Sequence, residues 1–184
     1  MAILYLKFMA TLIDQTKNWI EKFVIGLNLC PFAKPVIEKD QIRYITVDSE
    51  KEDDQIIAFF GELKLLKKIG PKDAATSFVI FANGLNSFED FLNFHAKAEF
   101  ILAEAKMDQT FQLASFHPDY QFEGTEKGDI ENATNQSPYP MIHILRVKQV
   151  SAAIEQYPDT MTIPEKNIET LKELGKEGLE EILG

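Results

Sequence analysis

Thr76-Ser77-Phe78-Val79-Ile80-Phe81-Ala82 runs straight into Asn83-Gly84 and then Ser87. The first seven residues carry no charge and are rich in β-branched and aromatic types, which fit a pleated strand. Asn83-Gly84 is a turn dipeptide, and Ser87 offers the side-chain oxygen that caps a helix N-terminus. The helix that follows is expected to run to about Lys106, with Phe88, Phe91, Leu92, Leu102 and Ala105 facing inward. A strand that hands over to a helix in this way is the repeating unit of an α/β fold.

The flanking sequence repeats the unit. Upstream, Ile42 to Val47 reads as a strand, and Ser49 with Glu52 has capping-box spacing for a helix to Ile69. Ile56, Ile57, Phe59, Phe60, Leu63, Leu66 and Ile69 give that helix its buried face, and Gly70-Pro71 stops it. Downstream, Thr110 to Phe116 and Met141 to Val147 read as two more strands. One helix is expected over Lys148 to Gln156 and another from near Pro164, where Thr162 and Glu165 again have capping-box spacing. At the other end Leu12, Thr16, Trp19, Ile20, Phe23, Val24 and Leu27 repeat at helical spacing, with Gly26 as the expected stop. Cys30-Pro31 and Lys34-Pro35 then disfavour helix, because the residue before a proline is pushed to extended geometry.

Alternating strands and helices predict an α/β fold: a four-stranded, mostly parallel sheet with helices packed on it, in a single domain over residues 1–184. The alternative is an α+β ferredoxin-like sandwich. Residues 1–10 read as a start extension or a short strand, with Met9 as an alternative start, and 175–184 as a tail that frays at Gly175 and Gly178.

Composition narrows the partners. The formal net charge is −10, and the basic stretch Lys64, Lys67, Lys68 shares its helix with Glu52, Asp53, Asp54 and Glu62. Nucleic-acid binding needs clustered cations, so neither nucleic acid nor an anionic membrane is expected as a partner. A single cysteine forbids an intramolecular disulfide and points to a reducing, cytoplasmic setting. No apolar run reaches the roughly 18 residues that span a bilayer.

One connection breaks the compact rhythm. Between the third and fourth strands lie 24 residues, His117 to Pro140, holding aromatics, prolines and amides. Structureless connections longer than about 12–15 residues are uncommon and are usually functional or disordered. In a parallel sheet, ligands bind beyond the carboxyl ends of the strands. Asp48, Asn83 with Gly84, and His117 with Asp119 would emerge on that edge.

His117 is the leading candidate for general acid or base, its imidazole oriented by Asp119. The plainer alternative is a histidine that only hydrogen-bonds the loop. Cys30, the only thiol, is a candidate nucleophile or wall residue, against a structural role. Asn132, Asn135, Ser137, Tyr139 and Arg146 make a candidate ligand-binding lining, with Arg146 able to hold a carboxylate or phosphate bidentately. The plainer reading of Arg146 is an ion pair to Asp129 or Glu131. His143 and His95 read as interior packing residues. No HxxxH, HExxH or CxxC spacing occurs, so no metal site is expected, a metal protein using His117, Asp119 and Cys30 being a third alternative; no GxGxxG, GxxxxGK[ST] or GxSxG occurs, and the cofactor stays unknown.

Several longer blocks carry a resemblance. They are Trp19-Ile20, then Val24-Ile25-Gly26-Leu27-Asn28-Leu29-Cys30-Pro31-Phe32-Ala33, and Ser115-Phe116-His117-Pro118-Asp119-Tyr120-Gln121-Phe122. Asn132 through Tyr139-Pro140, His143, Arg146, Tyr157-Pro158-Asp159-Thr160 and Ile163-Pro164-Glu165-Lys166-Asn167 continue them. In these blocks the chain resembles a bacterial family, domain of unknown function 1415. Where the family pattern often carries arginine, this chain has Gln136 and Lys166. The resemblance implies a cytoplasmic single-domain protein and brings no activity with it. The resulting expectation is an enzyme acting on a small polar molecule at the 115–140 loop. A non-catalytic ligand-binding or protein-interaction domain is the alternative.

Overall fold

The computed structural model describes residues 2–157 and 159–183. Met1, Pro158 and Gly184, which belong to the expected start extension, the Tyr157–Thr160 block and the tail, lie outside them. Four strands form one sheet: β1 (Ile42–Val47), β2 (Thr76–Phe81), β3 (Phe111–Phe116) and β4 (Met141–Arg146). Helix α1 (Ala2–Trp19) passes into a π-helical turn at Ile20–Ile25, and α2 (Ala33–Glu38) is short. Helices α3 (Glu52–Lys68) and α4 (Phe88–Glu104) follow β1 and β2. After β4 come α5 (Val147–Gln156) and α6 (Ile163–Leu183), the latter kinked at Gly175.

The strand at the centre of the sequence reading is also central in space. All six residues of β2 are buried. Val79 and Phe81 face a core with Phe59, Leu63 and Leu66 of α3 and Phe91, Phe94, Ala98 and Leu102 of α4. Phe78 and Ile80 face the opposite core, with Trp19, Ile20, Phe23, Leu29, Ala133 and Leu171. Alternate residues on a strand point to opposite faces, so one strand supplies both cores. Burying a phenylalanine-sized side chain contributes about 1.5–3 kcal/mol, and among the described residues Phe23, Phe59, Phe81, Phe91, Phe94 and Phe111 are essentially inaccessible. Ile57 and Leu92, expected to face inward, are exposed instead.

The sheet order is β1-β2-β4-β3. Only β1 and β2 pair in parallel; β2–β4 and β4–β3 are antiparallel, so the sheet is mixed and mostly antiparallel rather than mostly parallel. The cause is local. β1, β2 and β3 run the same way, as the two helical crossovers require, but β4 returns from β3 as a hairpin and inserts between β3 and β2. The ferredoxin-like alternative also fails, because helices cover both faces. Residues 2–10, read as a start extension or a short strand, are helical.

Helix ends differ from expectation for reasons of backbone geometry. The first helix ends at Ile25 with Gly26 as its C-cap, as expected, but Gly26 keeps right-handed φ and Asn28 takes the left-handed position at φ 54°. Asn28 N–H donates to Ile25 and Leu29 N–H to Val24, the pair of bonds that closes a Schellman cap. Gly26 has a second task, since a Cβ there would collide with the carbonyl oxygen of Lys22 in the π-helical turn. The capping box at Ser49 does not form; Ser49 Oγ bonds Asp54, while Ser87 caps α4 as expected through Asp90 N–H.

Arg146 ties the layers together. Its Nη2 donates to the carbonyls of Leu66 and Ile69 at 2.8 and 3.0 Å, and its Nε to Ala74 at 3.1 Å. A cation on the final carbonyls of α3 satisfies groups that no helical N–H can reach. The Arg146→Met substitution is therefore expected to lower unfolding stability by about 2–4 kcal/mol, since hydrogen bonds to charged groups are worth about 1.5–3 kcal/mol each and partly compensate one another. Urea unfolding checks this; unchanged stability would leave the guanidinium free for a ligand.

Candidate functional site

Because β1, β2 and β3 are codirectional, the segments after them do meet on one edge. They meet by bonding to each other. Asn83 Nδ2 donates to the Asp48 carbonyl and carboxylate, and buried Gln55 donates through Nε2 to the carbonyls of Ser49 and Asn83. Phe81 N–H reaches Pro140 and His117 N–H reaches Asn135, so the chain entering β4 closes the same edge.

His117 sits in the middle of this closure and is fully buried. Its Nε2 lies 3.0 Å from the Leu85 carbonyl, and its Nδ1 accepts the Asp119 backbone N–H at 3.0 Å. A carbonyl can only accept and an N–H can only donate, which fixes the neutral tautomer with the proton on Nε2. Phe88 and Phe91 flank the ring at 5.3 and 5.2 Å. Burial pulls its pKa below the ordinary histidine value, against the opposing influence of the Leu85 bond and the Asp119 charge. The expected carboxylate–imidazole contact is absent: Asp119 turns its carboxylate outward to Lys127 at 3.0 Å, a pair exposed on both sides.

The remaining candidates of the 115–140 loop are engaged in the same way. Buried Asn132 accepts from Phe122 N–H and Thr125 Oγ and donates to the Glu126 carbonyl, so it holds the 122–126 turn. Asn135 donates to Ser115 carbonyl, Ser137 to Tyr139 carbonyl, and Tyr139 hydroxyl to Gln15 of α1. The structure thus brings His117 and Asn135 together, sends Asp119 to the surface and Tyr139 to α1, and keeps Arg146 at the far end of β4. Cys30 is half-buried in the turn that precedes α2. Burial pushes its thiol pKa up, opposed by the N–H groups of Phe32 and Ala33 that point at the sulfur.

Open space lies elsewhere. A cleft of about 260 Å³ is lined by Leu27, Asn28 and Pro31 on one wall and Tyr157 on a second. The third wall is the first part of α6: Ile163, Lys166, Asn167, Glu169, Thr170 and Glu173. None of these comes from the 115–140 loop, and none was singled out as a site residue from the sequence. A signal was present, since the Asn28–Pro31, Tyr157 and Lys166–Asn167 segments all belong to the quoted blocks. Two contacts fix the walls. Asn167 Nδ2 donates to the Leu29 carbonyl at 2.9 Å, and Tyr157 meets Phe32 edge-on at 5.9 Å. A second depression of about 160 Å³ is lined by Lys17, Glu21, Ile37, Asp40, Ile42 and Tyr44, whose phenol burial pushes up to about 12.

Chemically the larger cleft offers an ammonium, two carboxylates, amides and hydroxyls above an apolar floor. That set can orient a polar molecule by charge and hydrogen bonds. Among the described residues no three His, Cys, Asp or Glu side chains gather as metal ligands do, and no helix is long and apolar enough to cross a membrane.

All three histidines are held below their ordinary pKa, burial being the leading cause, and His143, stacked on Phe78, falls to about 3. The unfolded chain takes up protons at these residues near pH 6.5 while the folded chain resists. Stability is then full above about pH 6.5 and declines as pH falls, by up to about 1.4 kcal/mol per pH unit per histidine. Urea unfolding between pH 7.5 and 5.5 should show the decline, and His117→Gln should make it shallower. Stability that rises toward pH 5.5 would mean these histidines are stabilised in the charged form.

No curated protein and no solved structure matches the chain. A family model does, that of a protein of unknown function (DUF1415), over residues 11–181. That span takes in the sheet, the closed edge and every wall of the larger cleft, and the chain belongs to this family.

Proposed function

We propose that this protein binds a small polar molecule, without chemistry of its own, in the cleft between the Leu27–Pro31 turn, Tyr157 and the first turns of α6. The observation that carries the reading is the contrast between two sets of polar groups. At the carboxyl edge His117, Asn132 and Ser137 are buried, Asn83 and Asn135 are half-buried, and all five bond backbone groups. In the cleft the Asn28 side chain, Lys166, Glu169 and Glu173 are exposed. The enzyme reading, with His117 as acid or base and Cys30 as nucleophile, would require the imidazole to leave both backbone partners and the thiol to overcome its burial. A cytoplasmic setting belongs to the same proposal, since the chain has one thiol and no partner for it.

The loop has a defined part in this reading. Its 3-10 turn, Ile130–Thr134, packs on α6, and Ala133 and Leu171 share one core. The excursion thereby sets where α6 stands, and α6 is a wall of the cleft.

Asn28→Gly offers a clean test. Glycine takes the left-handed φ without strain, so the cap persists while the amide that faces the cleft is lost. In a thermal-shift screen against a panel of small metabolites, Asn28→Gly and Thr170→Leu should lose the stabilisation that a ligand gives the parent. Tyr139→Phe should retain it. Loss in Tyr139→Phe with retention in Asn28→Gly would return the ligand to the 115–140 loop.

A further inference from the structure

We infer that the ligand of this cleft is a zwitterion of amino-acid or short-peptide size, with its anionic group at Lys166 and its ammonium group toward Glu169 and Glu173. The inference rests on the reading of the cleft as the ligand seat and adds the charge class.

The first observation is size. A space of about 260 Å³ lies just below the usual range of about 300–1,000 Å³ for drug-sized ligands and suits a small molecule. The second is the order of charges along one wall. Lys166 lies in the first turn of α6, where the helix end itself carries partial positive charge. Glu169 and Glu173 follow one and two turns on, about 4.5 and 10.5 Å further along the axis at 1.5 Å per residue. The wall thus runs from positive to negative over the length of a small amino acid derivative.

The third observation is that these charges have no other occupation. Lys166 and Glu169 stand three residues apart on a helix, a spacing at which such residues commonly pair. Among the described residues neither they nor Glu173 enter an ion pair. Asn167 uses its amide N–H₂ on Leu29 and leaves its carbonyl oxygen as an acceptor for an ammonium. Thr170 donates its hydroxyl proton to the Lys166 carbonyl, which leaves the oxygen as a further acceptor. Asn167 and Thr170 thus add acceptors between Lys166 at one end of the wall and Glu173 at the other. Leu27, Pro31 and Ile163 give the floor an apolar surface for the carbon chain between the two charged groups.

The test compares three probes of matched length: 6-aminohexanoate, hexanoate and hexylamine, each titrated into the full chain at millimolar concentration and followed by amide chemical shifts. The zwitterion is expected to bind at least about tenfold more tightly than either single-charge probe, about 1.4 kcal/mol. Shifts should centre on Asn28, Asn167 and Thr170. Lys166→Gln should reduce the zwitterion to the level of hexylamine, and the double variant Glu169→Gln/Glu173→Gln to the level of hexanoate. These residues are exposed, so the substitutions leave the fold intact, and the spectra verify it. Equal binding of a single-charge probe, or no binding of the zwitterion, overturns the inference. If the metabolite screen still finds a ligand lost in Asn28→Gly, only the charge class has failed; if it finds none, the reading of the cleft has failed with it.

Discussion

A neutral imidazole with both nitrogens committed to backbone holds together the edge of the sheet from which three strands emerge. His117 Nε2–H on Leu85 joins the β3 exit to the β2 exit, and the Asp119 N–H on Nδ1 turns the chain back over the sheet. The bond from Asn135 carbonyl to His117 N–H brings in the end of the excursion before β4. A protonated ring would lose its Nδ1 acceptor, and the Asp119 N–H contact with it, so charge and closure exclude each other. Leu85 meets the ring with φ 54°, a left-handed conformation that costs a non-glycine residue about 1–2 kcal/mol. Such strain is stable only when neighbouring contacts over-determine it, and for Leu85 these are the His117 bond and its packing against the core that holds Phe91.

From this closure follows the division of labour in the molecule. In open parallel sheets the crevice beyond the strand ends takes ligand. Here β4 fills the gap between β2 and β3, and the 24 residues that lead to it fill the crevice with amides that satisfy backbone groups. Within that segment Asn132, Asn135 and Ser137 all bond backbone groups. Its outer turn then presses on α6, which carries unpaired charge to a different part of the surface.

Much of this was legible in the sequence, and the rest was not for physical reasons. Strand positions were readable because β2 and β4 are apolar on alternate or both faces; Ile42–Val47 matches to the residue. The pairing of β4 was not readable, since hairpin return and parallel crossover leave the same apolar pattern in the strand. His117 was identified as the key residue of its loop, yet a buried latch and a catalytic base use the same residue type at the same strand end. Only the two backbone partners tell them apart. The cleft was invisible to periodicity because it is made by segments more than a hundred residues apart, Leu27–Pro31 and Ile163–Glu173, joined by a bond from Asn167 to a main-chain carbonyl.

Closure of the edge turns on the state of one ring, which nitrogen-15 NMR of the His117 imidazole reads directly. The closed edge predicts a single neutral tautomer, proton on Nε2 and Nδ1 accepting, that persists below pH 6.5 and does not respond to small ligands. An imidazole that titrates at its ordinary value, or whose tautomers average, would contradict the closure and restore His117 as a group free to move protons.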